Sequence, residues 1–286
     1  MLSPGARIAV ISPSGISAPA RLDAGIQELE RWGYRPALLP RAHARERYFA
    51  GTDDERLADL HLAFSGEFDA VWMARGGYGL ARLLPRIAWE NLAPVPFFGF
   101  SDGTVMLNAL AARGRPAVHA PVLHALATHN DDSTRLHLRA LLTGCGEMRI
   151  LGENLRSGSA EGPLAGGNLC VLASMCGTPG QLDARGRIVV LEDLGEAAYK
   201  IDRLLVQLRD SGALNGAIGL VLGDFLDANV PADAAWSLDD VFRDVLGPLG
   251  LPILRGVPIG HGKTNLAFPL GAPAALEHGA LTVYAR

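Results

Sequence analysis

The sequence predicts an α/β protein whose N-terminal half is built on a parallel sheet. Two observations carry that expectation: short apolar runs alternate with helically spaced ones, and each apolar run ends in a cluster of Gly, Ser or Pro. Strands that alternate with helices call for a sheet covered on both faces. A third observation, the Gly-rich polar stretch 145–165, divides the chain in two.

The elements follow in order. Ala6–Ser12 is a short apolar strand ending in Pro-Ser-Gly, and Ala20–Trp32 places Leu22, Ile26 and Leu29 on one helical face. Arg35–Leu39 reads as strand, Asp53–Phe64 as helix and Asp69–Ala74 as strand. The turn Arg75-Gly76-Gly77-Tyr78-Gly79 leads to a helix around Leu80–Arg86. Val95–Phe100 is a strand and Gly103–Ala112 a helix. Beyond the break come a helix near Asn168–Cys176, a strand Arg187–Leu191, a helix Ala198–Ser211, a strand Ala217–Gly223 and a helix Leu238–Leu246. From Leu251 onward short strand-like pieces are cut by Pro and Gly. The expected division is therefore 1–144, a linker 145–165, and 166–286.

Composition narrows the function classes. The 286 residues are 49% hydrophobic and 20% charged with net charge −4, which suits a globular domain with a substantial core. Lysine occurs only at Lys200 and Lys263, and no basic block exists, so a nucleic-acid partner is not expected. Cys145, Cys170 and Cys176 are an odd set without metal-like pairing, expected as free thiols in a reducing compartment. The start lacks a basic segment followed by an apolar core of about 7–15 residues, and no apolar run approaches a membrane span. A cytoplasmic protein with no membrane partner is expected. No metal site is expected either, since His119 and His124 are spaced five apart rather than the four of a zinc-binding helix.

Four stretches could carry chemistry. In "GFSDG", Ser101 directly follows a strand, at the sheet end where ligand crevices form. A sharp turn there would expose its hydroxyl beside free backbone N–H groups able to stabilise an oxyanion. The same residues could instead cap a helix. In "VVLEDLGE", Glu192 and Asp193 end a strand, where a carboxylate can orient a histidine; they could equally open a solvated loop. In "PIGHGKT", His261 alone among eight histidines lies between two glycines. The Gly262-Lys263-Thr264 that follows is no P-loop, because Val257 stands where its first glycine is needed. In "RGGYG", consecutive glycines permit close backbone approach to a ligand, and Arg75 could hold a carboxylate. A penicillin-binding-type S-x-x-K is excluded, because the residues three before the lysines are Ala197 and Gly260.

Taken together, "ISPSG", "RGGYG", "GFSD", "GGNL", "LEDLGE" and "PIGHG" resemble, in order and spacing, the LD-carboxypeptidase family of serine peptidases, which includes the microcin-immunity peptidases. The resemblance covers nearly the whole chain. It implies an N-terminal parallel-sheet α/β domain plus a smaller β-rich C-terminal domain with helices, an active site between the domains, and a cytoplasmic homodimer without a cofactor. It implies a triad of Ser101 as nucleophile, Glu192 as acid and His261 as base, with an oxyanion hole from the backbone of Asp102 and of Gly76 or Gly77. Arg75 and Tyr78 of the same turn are the expected substrate contacts. The expected reaction is hydrolysis of the amide between an L-centre and a terminal D-Ala of a muropeptide, during cell-wall recycling. Cleavage of a peptide–nucleotide amide, an α/β-hydrolase-like esterase and a non-catalytic anion-binding protein are the alternatives. Gly103 stands where the family usually has a bulky aliphatic residue, so the G-x-S-x-G pattern is no sign of an α/β-hydrolase.

Overall fold

The computed structural model describes residues 2–231 and 233–285. The chain forms two compact units. The first runs to Cys145 and takes in Leu266–Pro269; the second comprises Gly146–Asn265 and the residues from Leu270 onward.

The first unit contains strands β1 (Arg7–Ile11), β2 (Arg35–Leu38), β3 (Ala70–Met73), β4 (Phe97–Gly99) and β5 (Ala117–His119). They lie in the order β5-β4-β3-β1-β2, all parallel. The helices are α1 (Pro19–Arg31), α2 (Asp53–Ala63), α3 (Leu80–Leu83), α4 (Thr104–Ala111), α5 (Leu123–Leu126) and α6 (Asp132–Thr143). Every residue of β3 is buried, as expected of a parallel strand covered on both faces. Local chemistry fixes the helix ends. Thr52 and Glu55 form a reciprocal capping box on α2. Asp131 accepts from the Thr134 N–H at the start of α6, which ends at Gly144 in the left-handed region.

The second unit holds β6 (Met148–Leu151), β7 (Glu153–Arg156), β8 (Ala160–Asn168), β9 (Ile188–Leu194), β10 (Gly219–Leu226), β11 (Ile253–Arg255), β13 (Pro273–Glu277) and β14 (Ala280–Val283); β12 (Phe268–Leu270) joins the first sheet beside β5. The order is β6-β14-β13-β8-β9-β10-β11-β7. Its centre, β8-β9-β10-β11, is parallel, and antiparallel strands flank it. Helices α7 (Leu169–Ser174), α8 (Ala198–Asp210) and α9 (Leu238–Leu246) pack on it through Leu172, Leu205, Leu208 and Phe242.

Residues 145–165 differ from the linker their composition suggests. They supply β6, β7 and the first six of the nine residues of β8. The glycines and polar residues belong to turns and to strands with exposed faces, so composition alone does not distinguish them from a connector. None of Cys145, Cys170 and Cys176 is in a disulfide among the described residues.

Candidate active site

In the first unit, β4 runs into a 3-10 turn over Ser101–Gly103 that leads directly into α4. Ser101 adopts φ +60°, a left-handed conformation that costs a non-glycine residue about 1–3 kcal/mol and tends to mark functional turns. The capping positions of the 3-10 turn and of α4 are Phe100 and Gly103, neither with a side-chain cap, so Ser101 is the cap of neither. Its hydroxyl stands on a strained strand-to-helix turn.

The RGGYG turn packs against that serine. A Cβ on Gly76 would lie 2.9 Å from Ser101 Cβ, 3.0 Å from its Oγ and 3.7 Å from the Asp102 nitrogen. Glycine is required by this approach. The N–H groups of Gly76, Gly77 and Asp102 have no hydrogen-bond partner among the described residues, so they are available to an oxyanion. Tyr78 is half exposed and packs near Tyr48 and Phe49; the exposed Arg75 donates through Nη1 to the Ile16 carbonyl.

The side chain of Asp102 ties the loops together, a role the sequence did not reveal. It is buried and accepts from Ser14 Oγ at 2.5 Å, from the Leu80 N–H at 2.9 Å and from the Gly79 N–H. Burial pushes its pKa up, against those bonds and the nearby Arg56. The wholly buried Arg56 side chain donates to the Pro13 carbonyl at 2.5 Å, pairs with Asp53 and lies over Phe49. The signals were "ISPSG" and the Asp of "GFSD", whose side-chain roles depend on contacts far apart in sequence.

In the second unit, Glu192 lies near the end of β9 and is completely buried. Its Oε2 lies 2.7 Å from Nδ1 of His261, and its Oε1 meets no donor among the described residues. A carboxylate can only accept, so Nδ1 carries the proton and Nε2 is the basic nitrogen. Burial works to lower the His261 pKa; the Glu192 bond and the charges of Glu192, Asp193 and Asp224 outweigh it, and the net shift is upward.

The histidine loop is fixed from below. Gly260 adopts φ +133°, and a Cβ there would come within 2.8 Å of Glu192 Oε2. Its N–H donates to Asn265 Oδ1 at 3.1 Å, and the Gly262 N–H donates to Asp224 Oδ2 at 2.9 Å. Asp224 and Asn265 were not recognised from sequence, because each acts only through the fold. Asp193, the neighbour of Glu192, turns to the helix side: it accepts from the Cys170 N–H at 2.9 Å and from Asn168 Nδ2 at 3.2 Å.

Of the sequence-predicted residues, Glu192 and His261 are brought together in the second unit; Ser101, Asp102, Gly76 and Gly77 are brought together in the first. The sequence matches the profile of the LD-carboxypeptidase N-terminal domain over residues 8–120 and that of the C-terminal domain over 161–276. The chain belongs to the LD-carboxypeptidase family. It is accordingly a hydrolase of the carboxypeptidase type. The murein tetrapeptide carboxypeptidase of Pseudomonas aeruginosa is 39% identical over 286 positions, spanning 95% of this chain and 93% of that one. The crystal structure of muramoyltetrapeptide carboxypeptidase from Oxalobacter formigenes is similar at a TM-score of 0.87 and 31% identity, covering 97% of each chain. An MccF-like protein from Bacillus anthracis matches at a TM-score of 0.89 over 100% of this chain and 98% of that one; at 21% identity it shows a shared fold alone. No helix among the described residues is long and apolar enough to cross a membrane.

Within this LD-carboxypeptidase, Gly76→Ala is a sharp probe of the serine turn. The added methyl must displace the Ser101 side chain, while Gly76 itself has no left-handed backbone to strain. The expected outcome is a fall in kcat of about 10²-fold, the scale of a 1 Å misplacement of a reacting group, with a lowered melting temperature, since Ser101 Cβ is fixed to the backbone and overpacking costs about 1–3 kcal/mol. Steady-state kinetics beside a thermal melt check both halves.

Proposed function

We propose that this chain is a serine-type LD-carboxypeptidase that removes a C-terminal D-Ala from a muropeptide, cutting the amide after an L-centre such as meso-diaminopimelate or lysine. The single observation that carries the reading is the bond between the buried Glu192 carboxylate and Nδ1 of His261, which is the arrangement a general base requires. The 39% identity to a murein tetrapeptide carboxypeptidase supports the substrate class.

The steps follow from the chemistry of these groups. His261 Nε2 takes the Ser101 proton as the hydroxyl attacks the scissile carbonyl. The developing oxyanion accepts from the N–H groups of Asp102 and of Gly76 or Gly77; one such donor is typically worth ~10²–10³ in rate. The imidazolium, stabilised by Glu192, then protonates the leaving amine of D-Ala. Water, deprotonated by His261, hydrolyses the acyl-enzyme and restores the serine. Cytoplasmic residence and a homodimer belong to the same proposal.

The test is incubation with a murein tetrapeptide and mass spectrometry of the product, beside a Ser101→Ala control. Loss of one D-Ala by the wild type alone supports the reading. An unchanged tetrapeptide, or equal release by the control, refutes it.

A further inference from the structure

We propose that Arg21, Arg75 and His124 form a carboxylate site that grips the free C-terminal carboxylate of the substrate. The proposal deepens the carboxypeptidase reading above and rests on it. Three polar side chains from separate parts of the first unit meet beside the RGGYG turn. The His124 N–H donates to the Ala74 carbonyl at 2.9 Å, which seats the imidazole next to Arg75. Its Nδ1 lies 3.0 Å from Ser17 Oγ and its Nε2 3.3 Å from Arg21 Nη1. A guanidinium can only donate, so Nε2 accepts and the ring is the neutral tautomer with its proton on Nδ1. Burial, Arg75 and Arg21 hold the His124 pKa below its ordinary value, in keeping with that assignment.

The cluster lacks the counter-charge that several arginines nearer the α2 surface of the unit have. Arg41 pairs with Asp59, Arg56 and Arg82 with Asp53, and Arg86 with Asp54. Among the described residues, neither Arg21 nor Arg75 forms an ion pair; each spends one N–H on a neutral acceptor, His124 Nε2 and the Ile16 carbonyl respectively. Both residues are exposed. Arg21 also stands in the first turn of α1, which has no acidic residue and no side-chain cap. A cation there opposes the helix dipole, and an anion would relieve that opposition.

Chain geometry selects which carboxylate. Arg75 directly precedes Gly76, which packs on Ser101. In a peptide ending in D-Ala, the terminal carboxylate is attached to the α-carbon next to the leaving nitrogen, three bonds from the reacting carbonyl carbon. Carboxylates elsewhere in a muropeptide are more distant along the chain. A fork of two guanidiniums at that point would reward a chain end over an internal bond.

The test compares kcat/KM for D-Ala release from a murein tetrapeptide with release of D-alaninamide from its C-terminal amide, for wild type, Arg21→Gln, Arg75→Gln and Arg21→Lys. A lysine-containing tetrapeptide, which lacks the side-chain carboxylate of diaminopimelate, forms a third arm. We expect each Gln variant to lose about 10–100-fold on both free acids, the scale of one charged hydrogen bond, with amide cleavage unchanged and Arg21→Lys partly restored. Melting curves matching the wild type confirm folding. Unaltered acid preference in the Gln variants, equal loss on acid and amide, or a loss confined to the diaminopimelate substrate each overturns the assignment while leaving the carboxypeptidase reading intact. A wild type that releases no D-Ala overturns that reading and this one with it.

Discussion

Replacing Ser101 with alanine is expected to lower kcat for D-Ala release about 10⁶-fold, and replacing His261 with alanine to do nearly the same, with the double variant no slower than either. Residues that act as one unit show this non-additivity, because removing any member removes the attack pathway itself. What remains is catalysis by the N–H groups around Gly76 and Asp102 and by binding. The two variants differ in stability. Loss of His261 leaves the fully buried Glu192 carboxylate without the one side-chain hydrogen-bond partner it has among the described residues, so that variant should melt well below the wild type. Ser101 offers the opposite contrast. Its φ of +60° is one that glycine adopts without steric cost, so Ser101→Gly should be about 1 kcal/mol more stable than Ser101→Ala while equally inactive. Single-turnover assays and thermal melts on the four variants decide the matter. Residual activity above about one part in 10³ for Ser101→Ala would remove the serine from the role of nucleophile.

Much of the architecture was legible because the local signals agree with the fold. In the first half, β1 to β4 and α1, α2 and α4 fall within a few residues of the elements expected, since each strand is a short apolar run closed by a turn cluster. From sequence, residues 117–143 stay unassigned, although Asp131 and Gly144 bracket α6 as its caps. The 145–165 segment misleads for a different reason: strands with exposed faces and Gly-rich turns have the composition of a loop. At the site, motif spacing pointed to Ser101, Glu192 and His261. The supports were hidden. Asp102 binds Ser14 across 88 residues and Gly262 binds Asp224 across 38, and neither pairing leaves a periodic trace. Sequence pattern marks residues that present chemistry at chain turns; residues that hold those turns in place emerge only from tertiary contacts.

Glu192→Gln should lower kcat about 10⁴-fold, the scale seen when a triad acid becomes its amide, and should also move the pH profile. The two effects have one cause. Glu192 Oε2 accepts from His261 Nδ1–H at 2.7 Å, which fixes the proton there and leaves Nε2 basic. A glutamine turned to donate its amide would favour the other tautomer, with Nε2 protonated and unable to take the serine proton. The pH shift follows from the sign of the perturbation. In the wild type the His261 pKa lies above its ordinary value: burial lowers it, and the Glu192 hydrogen bond and charge are the first of the opposing influences. The base works only when neutral, so activity should rise with pH through that elevated pKa. In the variant the desolvation remains while the bond to a charged partner and its field are gone. The rising limb of kcat/KM should therefore move to lower pH even as its plateau falls. Gly260 lies close to the same carboxylate oxygen, so that a Cβ there would come within 2.8 Å of it, and glutamine, which keeps the size of glutamate, tests the charge without a change of shape. A pH–rate series on both proteins separates this electrostatic role from a purely structural one. A lowered plateau with an unmoved limb would mean that Glu192 positions the loop without acting on the base.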